Sequence, residues 1–138
     1  MFTMSADPLF ASMLHFKVEG LWDEEDAGRF GKAAAALIAT VPVPAGRHVS
    51  TMDISAFKIQ SQSIVRACHD MIEQGVLGHR VAYIVGDGLA RIQLRRVAVP
   101  GIEVREFAHI FQAHHWLLSQ GDSPGRFAIK PEDVSYVI

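Results

Sequence analysis

The segment Thr51–Gly75, TMDISAFKIQSQSIVRACHDMIEQG, begins like the end of a β-strand and finishes like a helix closed by glycine. Its second half repeats apolar residues at the spacing of one helix face, which holds Ile64, Ala67, Cys68, Met71 and Ile72. The polar join between the halves, residues 58–63, is open to three interpretations: a helix cap, a phosphorylation switch or a catalytic loop.

The rest of the chain repeats this order of a strand and then a helix. We expect parallel strands near residues 14–19, 47–54, 80–85 and 102–107. The apolar run RVAYIV at 80–85 is typical of a central strand, whereas the alternating first and fourth strands fit sheet edges. The fold class is therefore α/β, with a mainly parallel sheet built from four successive right-handed β-α units and most helices on one face. Residues 1–13 can supply an extra N-terminal antiparallel strand.

Local signals place the other helices. Asp23 precedes three acidic residues and is typical of an N-cap, so a helix is expected from there to about Thr40. Two further helices are expected at about 89–98 and 110–119.

Composition predicts one soluble domain. The chain has 138 residues, a formal net charge of −2 and 49% hydrophobic residues, which gives no global attraction for nucleic acid. The first residues lack a basic leader, and the longest apolar run, 33–43, is too short to span a membrane. We expect a cytoplasmic protein with Cys68 as a buried, reduced thiol. The domain spans 1–138, with a core at about 14–118 and a C-terminal arm at 119–138.

Five short segments, taken in order along the chain, carry a resemblance to a known family: GLWDEED at 20–26, MDIS at 52–55, RVAYIVGD at 80–87, VREF at 104–107 and AHHWL at 113–117. This series resembles the SpoIIAA-like family, which is related to the STAS domains of anti-sigma-factor antagonists. The resemblance covers about residues 14–118. It implies four turns of a right-handed β-α superhelix, a general fold shared with the lipid-binding CRAL-TRIO domains.

The resemblance bears on the polar join. Phosphorylatable STAS antagonists carry Asp-Leu-Ser and then, at the next helix start, Asp-Ser-Ser/Thr-Gly, in which the first hydroxyl residue accepts phosphate. Here Asp53-Ile54-Ser55 matches the opening, but the acceptor position falls on Gln62 and Ile64 replaces the glycine. We therefore expect a serine at the join to cap the helix rather than act as an obligatory switch. The candidate partner-surface loop consists of Asp53, Ser55, Lys58, Ser61 and Ser63.

Two other clusters contain residue types that bind anions or metal ions. Arg91, Arg95 and Arg96 form a short basic helix face, with Arg80 and Arg105 nearby, which is either a solvated surface or a candidate patch for an anion or acidic partner. The histidines of the last helix, His109, His114 and His115, lack the spacing of a His-x-x-x-His metal pair, so no metal site is predicted.

The function hypotheses follow from what the sequence holds. No Gly-x-Ser-x-Gly elbow is present, so we assign no catalytic residue and no cofactor, and expect no enzyme. The first hypothesis is a non-enzymatic, STAS-like regulatory or protein-interaction module. The alternative is a carrier of an apolar small molecule or lipid, because of the shared general fold and the hydrophobic content. We also expect a homodimer, since a one-sided helix layer can leave a sheet face uncovered.

Overall fold

The computed structural model describes residues 1–86, 90–94 and 97–119, and a five-stranded sheet lies at its centre. The strands lie in chain order across the sheet: β1 (Phe2–Ala6), β2 (Met13–Gly20), β3 (Val49–Phe57), β4 (Arg80–Ile84) and β5 (Glu103–Phe107). Strands β2 to β5 are parallel, and β1 is antiparallel to β2. The predicted α/β class, the four parallel strands and the extra N-terminal strand are confirmed.

Four helices connect or follow the strands: α1 (Glu24–Ile38), α2 (Gln62–Glu73), α3 (Ala90–Leu94) and α4 (Ile110–Ser119). Asp23 caps α1 in a capping box with Asp26, as its acidic first turn predicts. Helix α3 is shorter than the predicted 89–98, of which residues 89, 95 and 96 lie outside the described part. The predicted C-terminal arm lies outside it too, apart from the last residue of α4. No helix of the described residues is both long and apolar enough to cross a membrane.

The pleat of the strands divides the core between two faces. Leu14, Phe16 and Val18 of β2 point to the face that carries α1, α2 and α3. The opposite face packs against α4 through a smaller apolar cluster that includes Met13, Val49, Ala82, Trp116 and Leu117. Helix α4 is thus the exception to the predicted one-sided helix layer, and part of the second sheet face is covered.

The first predicted strand is not a sheet edge, and this part of the prediction is wrong. Strand β1 pairs along β2 from Phe2 opposite Val18 to Ala6 opposite Leu14. The half-exposed pattern of β2 has a different cause. Helix α4 packs on β3, β4 and β5, so polar side chains of β2 on that face stay partly exposed. The edges of the sheet are β1 and β5.

Arg80 fastens α4 to the sheet. Its buried guanidinium donates from Nη1 to the carbonyl of Leu117 at 3.1 Å and lies 4.5 Å from the ring centre of Trp116. A cation at the carbonyl end of a helix is favourable, because the helix dipole is negative there. Arg80 therefore lies beneath α4 and does not join the basic surface predicted around Arg91.

A close backbone approach fixes the turn before β4. Gly78 has φ +82°, and a Cβ built there would lie 2.0 Å from the carbonyl oxygen of His48, just before β3. Gly101, in the turn before β5, has φ +88° and no atom within 4 Å of its virtual Cβ. The two glycines share a left-handed conformation and differ only in the space around them.

We predict that Gly78→Ala destabilises the chain far more than Gly101→Ala. Both variants carry the left-handed conformation, which costs an alanine roughly 1–2 kcal/mol. The overlap with the His48 carbonyl adds about 1–3 kcal/mol for Gly78→Ala alone. Urea unfolding of both variants measures the difference, and equal losses of unfolding free energy would contradict the packing of this turn against β3.

Candidate functional site

The polar join lies where the chain leaves the carboxyl end of β3, and this strand ends later than predicted. The strand runs to Phe57, so Asp53 and Ser55 lie inside it rather than at its end. The Asp53 carboxylate accepts hydrogen bonds from the Ser55 amide at 2.9 Å and from the Ser55 hydroxyl at 2.6 Å. These two members of the predicted partner surface are thus bonded to each other.

Ser61 caps α2. Its Oγ accepts a long hydrogen bond from the amide of Ile64 at 3.4 Å, and its backbone is extended, as an N-cap requires. Ser63 belongs to the first helical turn, and its hydroxyl lies 3.1 Å from that of Ser61. The expectation that a serine of the join caps the helix is confirmed for Ser61.

The residue that organises the join is Gln60, which sequence analysis missed. Its side chain is buried, and its Oε1 accepts the Trp22 amide at 2.9 Å. Its Nε2 donates to the carbonyls of Gly20 at 2.9 Å and Lys58 at 2.7 Å. One amide group therefore ties the segment that follows β2 to the segment that follows β3. Nothing in a run of polar residues distinguishes this glutamine from a solvated one.

The main chain of Gln60 also holds α3. Its amide donates to Oε1 of Gln93 at 2.7 Å, and its carbonyl accepts from Nε2 of Gln93 at 2.9 Å. This reciprocal pair attaches α3 to the join that precedes α2. Side chain and main chain of Gln60 together connect three elements of the carboxyl edge.

We call the reciprocal hydrogen bonds between Gln60 and Gln93 the Gln60–Gln93 clasp. An apolar cavity of about 90 Å³ lies below it, between the sheet and the helices α1, α2 and α3. Val18, Met52 and Ile54 of the sheet form its floor, and Val65 and Cys68 of α2 form part of its wall. Apart from the amides of Gln60 and Gln93, the lining consists of aliphatic and aromatic side chains, methionines and one thiol.

A second space of about 200 Å³ adjoins the first. The two share four lining residues, and the second extends toward β5 along Val99, Val104 and Glu106; the shared residues are Ile72, Tyr83, Leu94 and Val97. Leu94 of α3 borders both spaces. Together the two spaces form an elongated region that runs past Leu94 of α3 toward β5.

The titratable groups of the cavity are neutral. Burial raises the pKa of the Cys68 thiol to about 11, so the reactive thiolate is scarce near neutral pH. Burial, together with the neighbouring Cys68, raises the pKa of Tyr83 well above its usual range. Among the described residues that line the cavity, none therefore offers an activated nucleophile or a charge to a ligand.

The predicted basic patch is only partly described. Arg91 is half-exposed, and its Nε donates to the Glu106 carboxylate of β5 at 2.8 Å, which neutralises its charge locally. Arg95 and Arg96 lie outside the described residues. Arg105 of β5 lies with its guanidinium 5.6 Å from the ring centre of Phe107.

Of the three histidines predicted in the last helix, His114 and His115 lie in α4, and His109 lies directly before it. His109 and His115 are exposed, whereas the Nε2 of His114 lies 3.4 Å from the Asp7 carboxylate, which also contacts His15. Burial alone would raise the pKa of Asp7, but hydrogen bonds from both histidines and two backbone amides hold it well below its usual range. The histidine spacing in the sequence involves only His109, His114 and His115, and no pattern connects them with residues 7 and 15.

Comparison with known proteins supplies the fold and no function. No protein-family model and no curated protein matches the chain. It is similar to the crystal structure of an uncharacterized protein of the DUF3478 family with a SpoIIAA-like fold, from Shewanella loihica PV-4. The TM-score is 0.63, with 20% sequence identity over 85% of this chain and 92% of that chain. The chain has a SpoIIAA-like fold, and the predicted relationship is confirmed at that level.

We predict that Ser61→Ala lowers the free energy of unfolding by about 1 kcal/mol, because α2 loses its cap. Ser61→Asp should retain most of the stability, since a carboxylate can cap and also favours the helix N-terminus. Ser63→Ala is the matched control and should change little. Urea unfolding measures all three, and an equal loss for both alanine variants would contradict the assignment of the cap.

Proposed function

We propose that this chain is a non-enzymatic binding module that holds an apolar small molecule between its sheet and the helices α1, α2 and α3. The observation that supports this function is the cavity beneath the Gln60–Gln93 clasp, with its almost wholly apolar lining. Apolar side chains that line an unfilled space lack packing contacts on that side, which is unfavourable. A ligand that fills the space restores those contacts.

The hydrogen bonds at the cavity indicate the kind of ligand. The amides of Gln60 and Gln93 already bond to each other and to the backbone, so the ligand needs to supply few polar groups. An apolar cavity of about 150 Å³ can bind benzene, so the space of about 90 Å³ alone is too small for a benzene-sized ring, and an aromatic or longer ligand must also use the adjoining space of about 200 Å³. The adjoining space toward β5 favours an elongated hydrocarbon over a compact one.

Helix α3 is the element that can admit the ligand. Its described part, Ala90–Leu94, borders both spaces. Gln93 holds it to the join, and Arg91 pairs with Glu106 at the surface, where an ion pair contributes little. Outward movement of α3 breaks these contacts, exposes the buried Ala90 and the core-packed Leu94, and leaves the sheet intact.

We predict that Cys68→Leu weakens binding of the linear apolar fluorophore diphenylhexatriene by at least roughly tenfold, or about 1.4 kcal/mol. The larger side chain fills part of the cavity that the ligand needs. The same change should raise the free energy of unfolding by about 1 kcal/mol, as cavity-filling substitutions commonly do. Fluorescence titration and urea unfolding measure the two effects.

Ala36→Leu is the matched control, because Ala36 lies on the exposed side of α1 and does not line the cavity. It should leave both binding and stability nearly unchanged. If the native chain binds no diphenylhexatriene, or if Cys68→Leu binds it as tightly as the native chain does, the proposed function is wrong.

A second candidate function is the protein-interaction module of the sequence analysis. Three large apolar side chains are exposed around the join: Leu21 is 67% exposed, Ile59 47% and Ile92 53%. The segments that carry Leu21 and Ile59 are joined by the Gln60 side chain, so the two residues lie on adjacent stretches of chain. Exposed apolar groups in one region favour a protein contact there.

For this candidate we predict that Ile59→Asp abolishes capture of a partner from lysate of the source organism, because a charge enters an apolar contact. Leu9→Asp is the control, since Leu9 is 58% exposed in the β1–β2 connection. This connection lies at the amino ends of the parallel strands, far from the join at their carboxyl ends. Partners identified by mass spectrometry with native protein and with both variants decide the matter. Equal capture by Ile59→Asp and native protein would count against a contact at the join.

Self-association as a homodimer stays a prediction. Strand β5 forms an edge with Val104 exposed, which supports pairing between copies, whereas the cover that α4 provides removes part of the original argument. Light scattering of the purified chain decides between monomer and dimer.

A further inference from the structure

Asp7, His15 and His114 come from three separate elements and meet on the α4 side of the sheet, away from the apolar cavity. Asp7 lies directly after β1, His15 is in β2 and His114 is in α4. Each offers one ligand atom, and the three atoms all lie within 4.8 Å of one another. The side chains are 6%, 25% and 15% exposed, in that order, so the group is largely enclosed but still reaches solvent.

We propose that these three side chains bind one divalent first-row transition-metal ion, through the Asp7 carboxylate and the Nε2 atoms of His15 and His114. Two imidazole nitrogens and one carboxylate oxygen suit Zn²⁺ and its neighbours in the series, and not Mg²⁺ or Ca²⁺, which prefer all-oxygen ligands. With three protein ligands, a tetrahedral ion keeps its fourth position for water or another ligand.

Two of the three distances between ligand atoms fit such an ion after a small adjustment, and the third, between the two histidines, is at most 4.8 Å. Bonds of about 2.0–2.1 Å around a tetrahedral ion place neighbouring ligand atoms roughly 3.3 Å apart. The Oδ1 of Asp7 lies 3.4 Å from the Nε2 of His114, which is already suitable. It lies 2.7 Å from the Nε2 of His15, a hydrogen-bond distance that must open by roughly 0.6 Å when a metal replaces the shared proton.

Neighbouring groups orient the ligands as metal sites require. The Nδ1 of His15 lies 2.7 Å from the hydroxyl of Thr51 in β3, so the ring can donate there and leave Nε2 for the metal. The second oxygen of Asp7 accepts the backbone amides of Leu9 at 2.9 Å and Phe10 at 3.0 Å, which fixes the carboxylate. The ring of His114 packs edge-on against Phe10 with centroids 5.8 Å apart.

The test is titration of the tag-free, chelator-treated chain with Zn²⁺ by calorimetry and with Co²⁺ by visible absorption. We expect one ion per chain and a Co²⁺ spectrum of a tetrahedral or five-coordinate site. Asp7→Asn, His15→Gln and His114→Gln should each abolish this binding. Thr51→Val should weaken it by roughly 10- to 100-fold, because it removes only the group that orients His15.

His109→Gln and His115→Gln are the matched controls, since both residues are exposed, His115 in α4 and His109 directly before it. They should leave the affinity unchanged. Because a ligand variant can also disturb folding, ring-nitrogen NMR of the native chain provides a second readout. Zn²⁺ should shift the Nε2 signals of His15 and His114 and not those of His109.

Three results would overturn the proposal. The first is no stoichiometric binding at micromolar Zn²⁺, in which case the group is a hydrogen-bonded network only. The second is binding that survives both Asp7→Asn and His114→Gln in folded protein. The third is Zn²⁺-induced shifts confined to other histidines. Apolar-ligand binding on the opposite face of the sheet should persist in all of these variants, so failure here is distinguishable from failure of the proposed function.

Discussion

The hydrogen bonds of Gln60 hold the carboxyl edge of this fold together. In a parallel sheet the chain leaves each strand at the same edge, and backbone groups there lose their ladder partners. The Gln60 side chain satisfies groups of Trp22, Gly20 and Lys58, while its main chain pairs with Gln93. Leaving such buried groups unpaired costs about 1–3 kcal/mol each. These hydrogen bonds therefore attach α3 to the join beside the cavity.

The two faces of the sheet carry different kinds of side chain, because successive residues of a strand point to opposite faces. Even-numbered positions of β2, and of β3 as far as Ile54, face α1 and α2, where Val18, Met52 and Ile54 form the floor of the apolar cavity. Odd-numbered positions of the same strands bring His15 and Thr51 to the face of α4, where Asp7 and His114 join them. One pleated sheet thus separates a neutral hydrocarbon-lined space from a polar group of metal-ligating side chains.

Periodic and local signals were sufficient to predict the fold. Alternation in β2, the apolar run of β4 and the acidic start of α1 predicted their elements, because each signal acts within a few residues. The sheet edge was misassigned, since the polar residues of β2 reflect partial cover by α4 rather than an absent neighbour. A cap at Ser61 or Ser63 was predicted from their place before α2, whereas Gln60 bonds to Gly20, Trp22 and Gln93, 33 to 40 residues away, which no local pattern reveals. Asp7, His15 and His114 are likewise brought together only by tertiary folding.

The proposed function requires that an apolar ligand occupies the cavity between the sheet and the helices α1, α2 and α3. The most direct measurement is methyl NMR of the Ile-, Leu- and Val-labelled chain with diphenylhexatriene, recording intermolecular nuclear Overhauser effects. The account predicts effects from the ligand to methyl groups of Val65, Leu77 and Leu94, which line the cavity. Effects confined to Leu21 and Ile59, which are exposed beside the join, would contradict it and would place the apolar contact on the surface.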